Sequence, residues 1–185
     1  LDPAGATLTA ANVETISGGT ADDSIVVSTA MAGIVDLGGG EDRLTLSNNR
    51  NTLTLSGVET VTGGASVDMI ALTTQATGLT IDLGGSTDRL ILGAFVNTVT
   101  ASSVETIVGA ASADSLILAA QATATSIDLG GDVDDLTLGD FLNTLTVSNV
   151  ETITGGASTD IVTLGARATD VTVDLAVGTD KLTHG

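Results

Sequence analysis

The sequence predicts an all-β fold, a parallel β-solenoid, and three observations carry that prediction. The tripeptide Val-Glu-Thr recurs from Val13, Val58, Val104 and Val150, at intervals of 45, 46 and 46 residues, and a period of that length means stacked supersecondary units. Eight aspartates, Asp23, Asp42, Asp68, Asp88, Asp114, Asp134, Asp160 and Asp180, each follow a turn of small residues, at spacings of 19, 26, 20, 26, 20, 26 and 20. Downstream of each, apolar side chains tend to recur with a period of two, which places them on one face of a strand.

One array domain spans 1–185, divided into repeats 13–57, 58–103, 104–149 and 150–185, and it reads as a segment of a longer array. In each repeat the strands after the aspartates alternate: Ile25 and Val27, Leu44 and Leu46, Ile70 and Leu72, Leu90 and Leu92, Leu116 and Leu118, Leu136 and Leu138, Val162 and Leu164. The segments before every second turn do the same, with Leu79, Ile81 and Leu83 inward against Thr80 and Asp82, and Thr125, Ile127 and Leu129 inward against Ser126 and Asp128. Val, Ile and Thr dominate these stretches, as pleated surfaces prefer.

Between the strands lie a longer turn (GGTADD, GGASVD, GAASAD, GGASTD) and a shorter one (GGGED, GGSTD, GGDVD, AVGTD), whose glycines are expected to supply positive φ. The opposite reversals are poor in glycine (STAMAG, TTQATG, AAQATA, GARATD; SNNRN, GAFVN, GDFLN). Two kinds of edge and one aspartate per coil predict eight coils averaging 23 residues, with every aspartate on the same edge. The run Leu145, Val147, Val150, Ile153 breaks parity, so a bulge or corner is expected near Ser148 and Asn149.

Composition bounds the function. The 185 residues are 42% hydrophobic, which suffices for a core, yet include two Phe and no Trp or Tyr, as suits thin layers of short aliphatic side chains. The absence of cysteine excludes a disulfide framework and a thiolate metal site. A net charge of −18, from 23 acidic and 5 basic residues, excludes a phosphate-tracking nucleic-acid binder and argues against anionic membrane surfaces. No apolar run approaches the length of a transmembrane helix, so direct membrane insertion is not expected. This acidic, cysteine-free, Thr/Ser/Gly-rich composition points to an extracellular or cell-surface bacterial protein.

The turns resemble those of a known family, the RTX or hemolysin-type nonapeptide repeats, whose G-G-x-G-x-D-x-U-x consensus winds into a calcium-binding parallel β-roll. Gly18, Gly19, Asp23 and Ile25 fit its first, second, sixth and eighth positions, as do Gly63, Gly64, Asp68 and Ile70, and Gly155, Gly156, Asp160 and Val162. The fourth position departs, holding Ala21, Ser66, Ser112 and Ser158, and the shorter turns carry Leu in place of the first glycine. The family places such turns at both edges of an 18-residue coil. The resemblance implies a β-roll, calcium as ligand of the eight aspartates, and folding coupled to export into calcium-rich surroundings.

Read from the residues alone, the aspartates have two possible uses. Carboxylates stacked at ~4.8 Å repel by ~1 kcal/mol per pair in water and by more near an apolar surface. Calcium would answer this with six to eight oxygen ligands; the alternative is that each carboxylate accepts hydrogen bonds from the amides of its own turn. Asp36, Asp82, Asp128 and Asp174 form a flanking column of possible second ligands, and Glu14, Glu59, Glu105 and Glu151 another. The competing reading of both is a solvated outer face that blocks aggregation. Arg43, Arg89 and Lys181 directly follow ladder aspartates and are candidates to neutralise them.

No enzyme is expected. The single histidine, His184, stands where other repeats carry an inward Leu, and no HExxH, GxSxG or phosphate-cradling loop is present. Catalytic groups are unique in a groove, whereas these acids recur along the chain. The sequence is therefore expected to be a noncatalytic structural or adhesive module of a secreted cell-surface protein, such as an adhesin stalk, S-layer component or matrix filament. Its expected partners are neighbouring repeats, its own copies end to end, or cell-surface glycans and proteins. The alternative is a calcium-binding folding and secretion accessory to a secreted protease or polysaccharide-modifying enzyme.

Overall fold

The computed structural model describes residues 4–165 and 168–185; Ala166 and Arg167, in the last glycine-poor reversal, lie outside the described residues. Alternate strands enter alternate sheets. Sheet A holds β1 (Thr7–Ala10), β3 (Ser24–Val27), β5 (Arg43–Thr45), β7 (Thr60–Gly64), β9 (Thr77–Gly84), β11 (Thr98–Ser102), β13 (Ser115–Leu118), β15 (Asp135–Thr137), β17 (Thr152–Thr154) and β19 (Thr172–Asp174). Sheet B holds β2 (Thr15–Gly19), β4 (Ala32–Gly38), β6 (Asn51–Ser56), β8 (Asp68–Leu72), β10 (Arg89–Ile91), β12 (Thr106–Ala110), β14 (Thr123–Gly130), β16 (Asn143–Ser148), β18 (Asp160–Leu164) and β20 (Lys181–His184). Among the described residues each sheet has ten strands in sequence order, and every pairing is parallel. The parallel β-solenoid is thus the fold of the chain.

Its winding differs from the expected one in a way that follows from a single number. Each full repeat contains five strands, β7 to β11 in 58–103 and β12 to β16 in 104–149, where the aspartate spacing suggested four. Five is odd, so the equivalent strands β3, β8, β13 and β18 alternate between the sheets. The coils number about nine instead of eight and take 17 to 21 residues, as the registers Thr7↔Ser24, Thr60↔Thr80 and Thr123↔Thr144 show. The extra strand lies in the parity-breaking run: β16 ends at Ser148, Asn149 turns the chain with φ 51°, and β17 begins at Thr152 in the other sheet. At ~4.8 Å per rung the rod is about 43 Å long.

The aspartates therefore do not share one edge. Asp23, Asp42, Asp114 and Asp134 lead into sheet A, and Asp68, Asp88, Asp160 and Asp180 into sheet B. Between the sheets lies a narrow aliphatic core in which Ile25, Leu44, Leu79, Ile81, Leu83, Leu90, Ile107, Leu116 and Ile127 are essentially sealed from solvent. Each such side chain contributes ~1.5–3 kcal/mol through burial. No aromatic ring takes part; Phe95 and Phe141 sit exposed on the corners.

Glycine has two distinct duties. In the shorter turns Gly38, Gly84 and Gly130 adopt φ of 91°, 87° and 100°, as expected. In the longer turns the glycines have no positive φ; Gly18, Gly63 and Gly109 are instead required by the close approach of Leu37, Leu83 and Leu129 in the next rung.

Candidate functional site

Two columns of inward polar side chains climb the corners of the solenoid. In the corner leading into sheet A, the Ala6 amide donates to Asp23 Oδ1 at 2.6 Å, the Asp23 amide to Asp42 Oδ1 at 2.6 Å, and the Asp42 amide to Glu59 Oε2 at 2.8 Å. In the other corner the amide of Asn51 donates to Asp68 Oδ1 at 2.9 Å, that of Asp68 to Asp88 Oδ1 at 2.7 Å, and that of Asp88 to Glu105 Oε2 at 2.8 Å. The cycle returns in the first corner through Asn97, Asp114, Asp134 and Glu151 and in the second through Asn143, Asp160 and Asp180. Each of these acceptors clamps the backbone of the rung before it except Asp160, whose Oδ1 takes the Asn143 side-chain Nδ2 while the Asn143 amide donates to the Thr159 carbonyl. The expected bonds within the aspartate's own turn occur at Asp160, whose Oδ2 also accepts from the Gly156 amide at 3.2 Å.

The asparagines escape notice in the sequence, where they read as turn residues. Asn51, Asn97 and Asn143 are fully buried. Asn97 Nδ2 donates to the carbonyls of Gly93 and Phe95 at 3.1 and 2.7 Å and to Asp114 Oδ1 at 2.9 Å, while its Oδ1 accepts from the Ala76 amide at 3.0 Å. A carboxylate could not serve here, because the turn directs oxygens at this position. Their signal is in the sequence: each stands two residues before an inward apolar residue, Leu53, Val99 or Leu145, as the aspartates and glutamates of the columns do.

The flanking acids divide. Glu59, Glu105 and Glu151 belong to the columns, against the reading of a purely solvated face. Asp36, Asp82, Asp128 and Asp174 are exposed on the outer faces, and Glu14 is exposed at the first rung. Arg43, Arg89 and Lys181 are exposed as well, because neighbours of an inward residue on a strand point outward; they do not enter the columns. The fifth position of each column is apolar: Met31 fills it, whereas Ala76 and Ala122 leave shallow notches that admit a few waters at most.

The ladder is electrostatically tense. Asp23, Asp42, Asp68, Asp88, Asp114 and Asp134 are at most 3% exposed, and the Oδ2 of each is buried without a hydrogen-bond partner. Burial pushes Asp88 up to about 6, opposed by the Asp68 amide and reinforced by the charges of Asp68 and Glu105. Burial pushes Asp134 up to about 6 as well, opposed by the Asp114 amide and reinforced by Asp114, Glu151 and Asp132. Asp42, Glu59 and Asp114 are raised by burial too.

A carboxyl whose pKa is higher folded than unfolded holds its proton more tightly in the fold, so its stabilising share is full below about 4 and is lost as pH rises through about 6. The melting temperature of the chain is accordingly expected to be higher at pH 4 than at pH 7. The double variant Asp88→Asn, Asp134→Asn should flatten this slope and melt higher than the parent at pH 7, since the amide keeps the Oδ1 acceptor and removes the charge. Thermal melts by circular dichroism across pH 4–7 check both; a parent that melts higher at pH 7 contradicts the assignment.

The columns offer no converging set of calcium ligands among the described residues. The ion takes six to eight oxygens at about 2.3–2.6 Å, but successive carboxylates are a rung apart at ~4.8 Å and each Oδ1 is already engaged by an amide. Among the described residues no group of three or more Asp, Glu or His side chains converges on a point that could hold a metal. Asp36, Asp82, Asp128 and Asp174 are exposed on the outer faces, away from the buried columns. Set against known protein families, curated proteins and solved structures, the chain matches none of them.

Proposed function

We propose that the array is a noncatalytic structural module, a stiff spacer of a secreted bacterial cell-surface or matrix protein of the adhesin-stalk or S-layer kind. The observation that carries this reading is the direction of the corner columns. Their hydrogen bonds run along the rod axis, rung to rung, parallel to any load applied between its ends. Such bonds to a charged acceptor are worth ~1.5–3 kcal/mol each. The chemistry-bearing groups recur with the repeat and are spent on holding rungs together, which supports a mechanical role over a catalytic one. The acidic, Thr/Ser/Gly-rich composition, of the kind common in extracellular repeat proteins, is the support for placement outside the cell.

Small-angle scattering and circular dichroism on the purified chain, in EDTA and again in millimolar calcium, test the reading. A rod about 43 Å long, with the same β spectrum and melting temperature in both buffers, is the expected result. A compact or unfolded particle would sink the spacer. Folding that appears only with calcium would restore the ion and place the chain with calcium-triggered export modules.

A further inference from the structure

We propose that the corners at Phe95 and Phe141 are docking sites for a neutral, N-acetylated oligosaccharide, one site in repeat 58–103 and one in repeat 104–149. The inference adds a partner to the spacer reading and rests on that reading for the rigid rod that carries the sites. The chain has two Phe and no Trp or Tyr, and both rings stand at the same place in the repeat, outside the core. Phe95 and Phe141 are each 43% exposed, and their aliphatic neighbours Val96 and Leu142 are exposed as well.

Each ring is a fixed platform. Gly93 and Gly139 lie so close to the rings that a Cβ there would stand 2.9 and 3.0 Å from the Cδ2 of Phe95 and Phe141. The Phe95 and Phe141 amides donate to the Gly93 and Gly139 carbonyls at 2.8 and 2.7 Å, and Nδ2 of the buried Asn97 and Asn143 donates to the Phe95 and Phe141 carbonyls at 2.7 and 2.8 Å. A ring that rests on bare backbone and is tied at both backbone groups loses little freedom when a ligand covers its open side. That side presents the negative face of the ring to the polarised C–H groups of a sugar. Beside each platform is one of the notches at Ala76 and Ala122, and Gln75 joins the two elements: it lines the first notch, and its Nε2 donates to the Val96 carbonyl of the next rung at 2.8 Å. Gln121 lines the second notch.

Repeat 13–57 shows what such a notch accepts. There Met31 fills it and is buried, and Cγ, Sδ and Cε are the atoms by which it exceeds alanine. An acetyl group has the same number of heavy atoms and also ends in a methyl. The plugged repeat lacks the platform: Ser47, Asn49 and Arg50 replace Gly93, Phe95 and Val96, and Ala30 replaces Gln75. Plug and platform thus exchange together, although the inward residues that follow, Leu53, Val99 and Leu145, are aliphatic in all three repeats and ask for no such pairing. Size and charge choose the ligand class. Phe95 and Val96 together expose roughly 200 Å² of apolar surface, against about 800 Å² a side in a stable protein interface, so the patch suits a sugar ring better than a folded protein. The net charge of −18 repels anionic glycans and leaves neutral ones.

Titration of the isotope-labelled chain with chitotriose, the linear trimer of N-acetylglucosamine, followed by NMR, tests this. The side-chain amides of Gln75 and Gln121 should both shift and saturate. Phe95→Ala should abolish the Gln75 response and spare that of Gln121, and Phe141→Ala should do the reverse, each altered corner losing at least about tenfold in affinity. Both rings lie outside the core, so neither change should move the melting temperature. Ala76→Met copies the plug of repeat 13–57 and should weaken chitotriose at that corner alone, and cellotriose, which has no acetyl groups, should bind the parent more weakly than chitotriose does. Amides that stay still, shifts that survive the two phenylalanine changes, or cellotriose bound as tightly as chitotriose would overturn the proposal. So would parent chains that ignore both sugars and pair through these corners in sedimentation, the mark of a protein contact. An array that ignores sugar yet scatters as a rod leaves the spacer standing, whereas loss of the rod shape removes both.

Discussion

Asn97→Asp is expected to be the most damaging isosteric change in the chain. It exchanges the buried Nδ2, which donates to the carbonyl oxygens of Gly93 and Phe95 and to Asp114 Oδ1 within 3.1 Å, for an oxygen facing three acceptors. An uncompensated charge in such a place costs about 3–5 kcal/mol, or roughly 10 °C in melting temperature for a chain of this size. Stability in a stacked array is set by neighbouring rungs, so a defect near mid-rod should also uncouple the two halves. The melt is expected to broaden or split for Asn97→Asp, while Asn143→Asp, nearer the last rung, should fray one end. Calorimetry of both variants against the parent decides it; an unchanged single transition for Asn97→Asp would show that the asparagine is dispensable. Lowering the pH should rescue the variant partly, since protonation of the introduced carboxyl restores one donor.

Gly63→Ala is expected to have the second largest effect. A Cβ at Gly63 would stand 2.6 Å from both the carbonyl carbon and Cα of Leu83, backbone atoms of the next rung that cannot swing away. The rung would have to separate locally from its neighbour, which belongs at the upper end of the ~1–3 kcal/mol range for overpacking. Gly85→Ala is the control, because its nearest neighbour would be the Ala65 Cα at 3.9 Å. Urea unfolding of the two variants should show a clear loss of midpoint for Gly63→Ala and almost none for Gly85→Ala. Equal losses would mean that glycine acts through backbone freedom alone and that the close approach is immaterial.

The fold is legible in the sequence because its strongest constraint, one polar corner followed by an inward apolar residue, is local and repeats. Strand direction, inward faces such as Leu79, Ile81 and Leu83, and the corner at Asn149 all follow from period-two alternation. The number of strands does not, because β16 and β17 are separated by three residues and read as one irregular run when corners are identified by aspartate alone. Glutamate and asparagine do the same work at other rungs with side chains of different reach and charge, so aspartate marks only two of the five corners in each repeat. The direction of the hydrogen bonds is also hidden: a carboxylate beside a glycine turn suggests bonds within that turn, whereas the acceptor reaches the amide 17 to 20 residues back. Sequence separation of that kind is invisible until the coil length is known.

The odd number of strands per repeat has one more consequence. A single repeat is carried onto the next by a half-turn about the rod axis with a rise of about 12 Å, a twofold screw written into the chain. The two broad faces of the rod are then chemically alike, each showing every motif at alternate repeats. A binding partner that recognises one repeat meets it again on the opposite flank, so lengthening the array multiplies attachment points on both sides and lets a single rod bridge two surfaces.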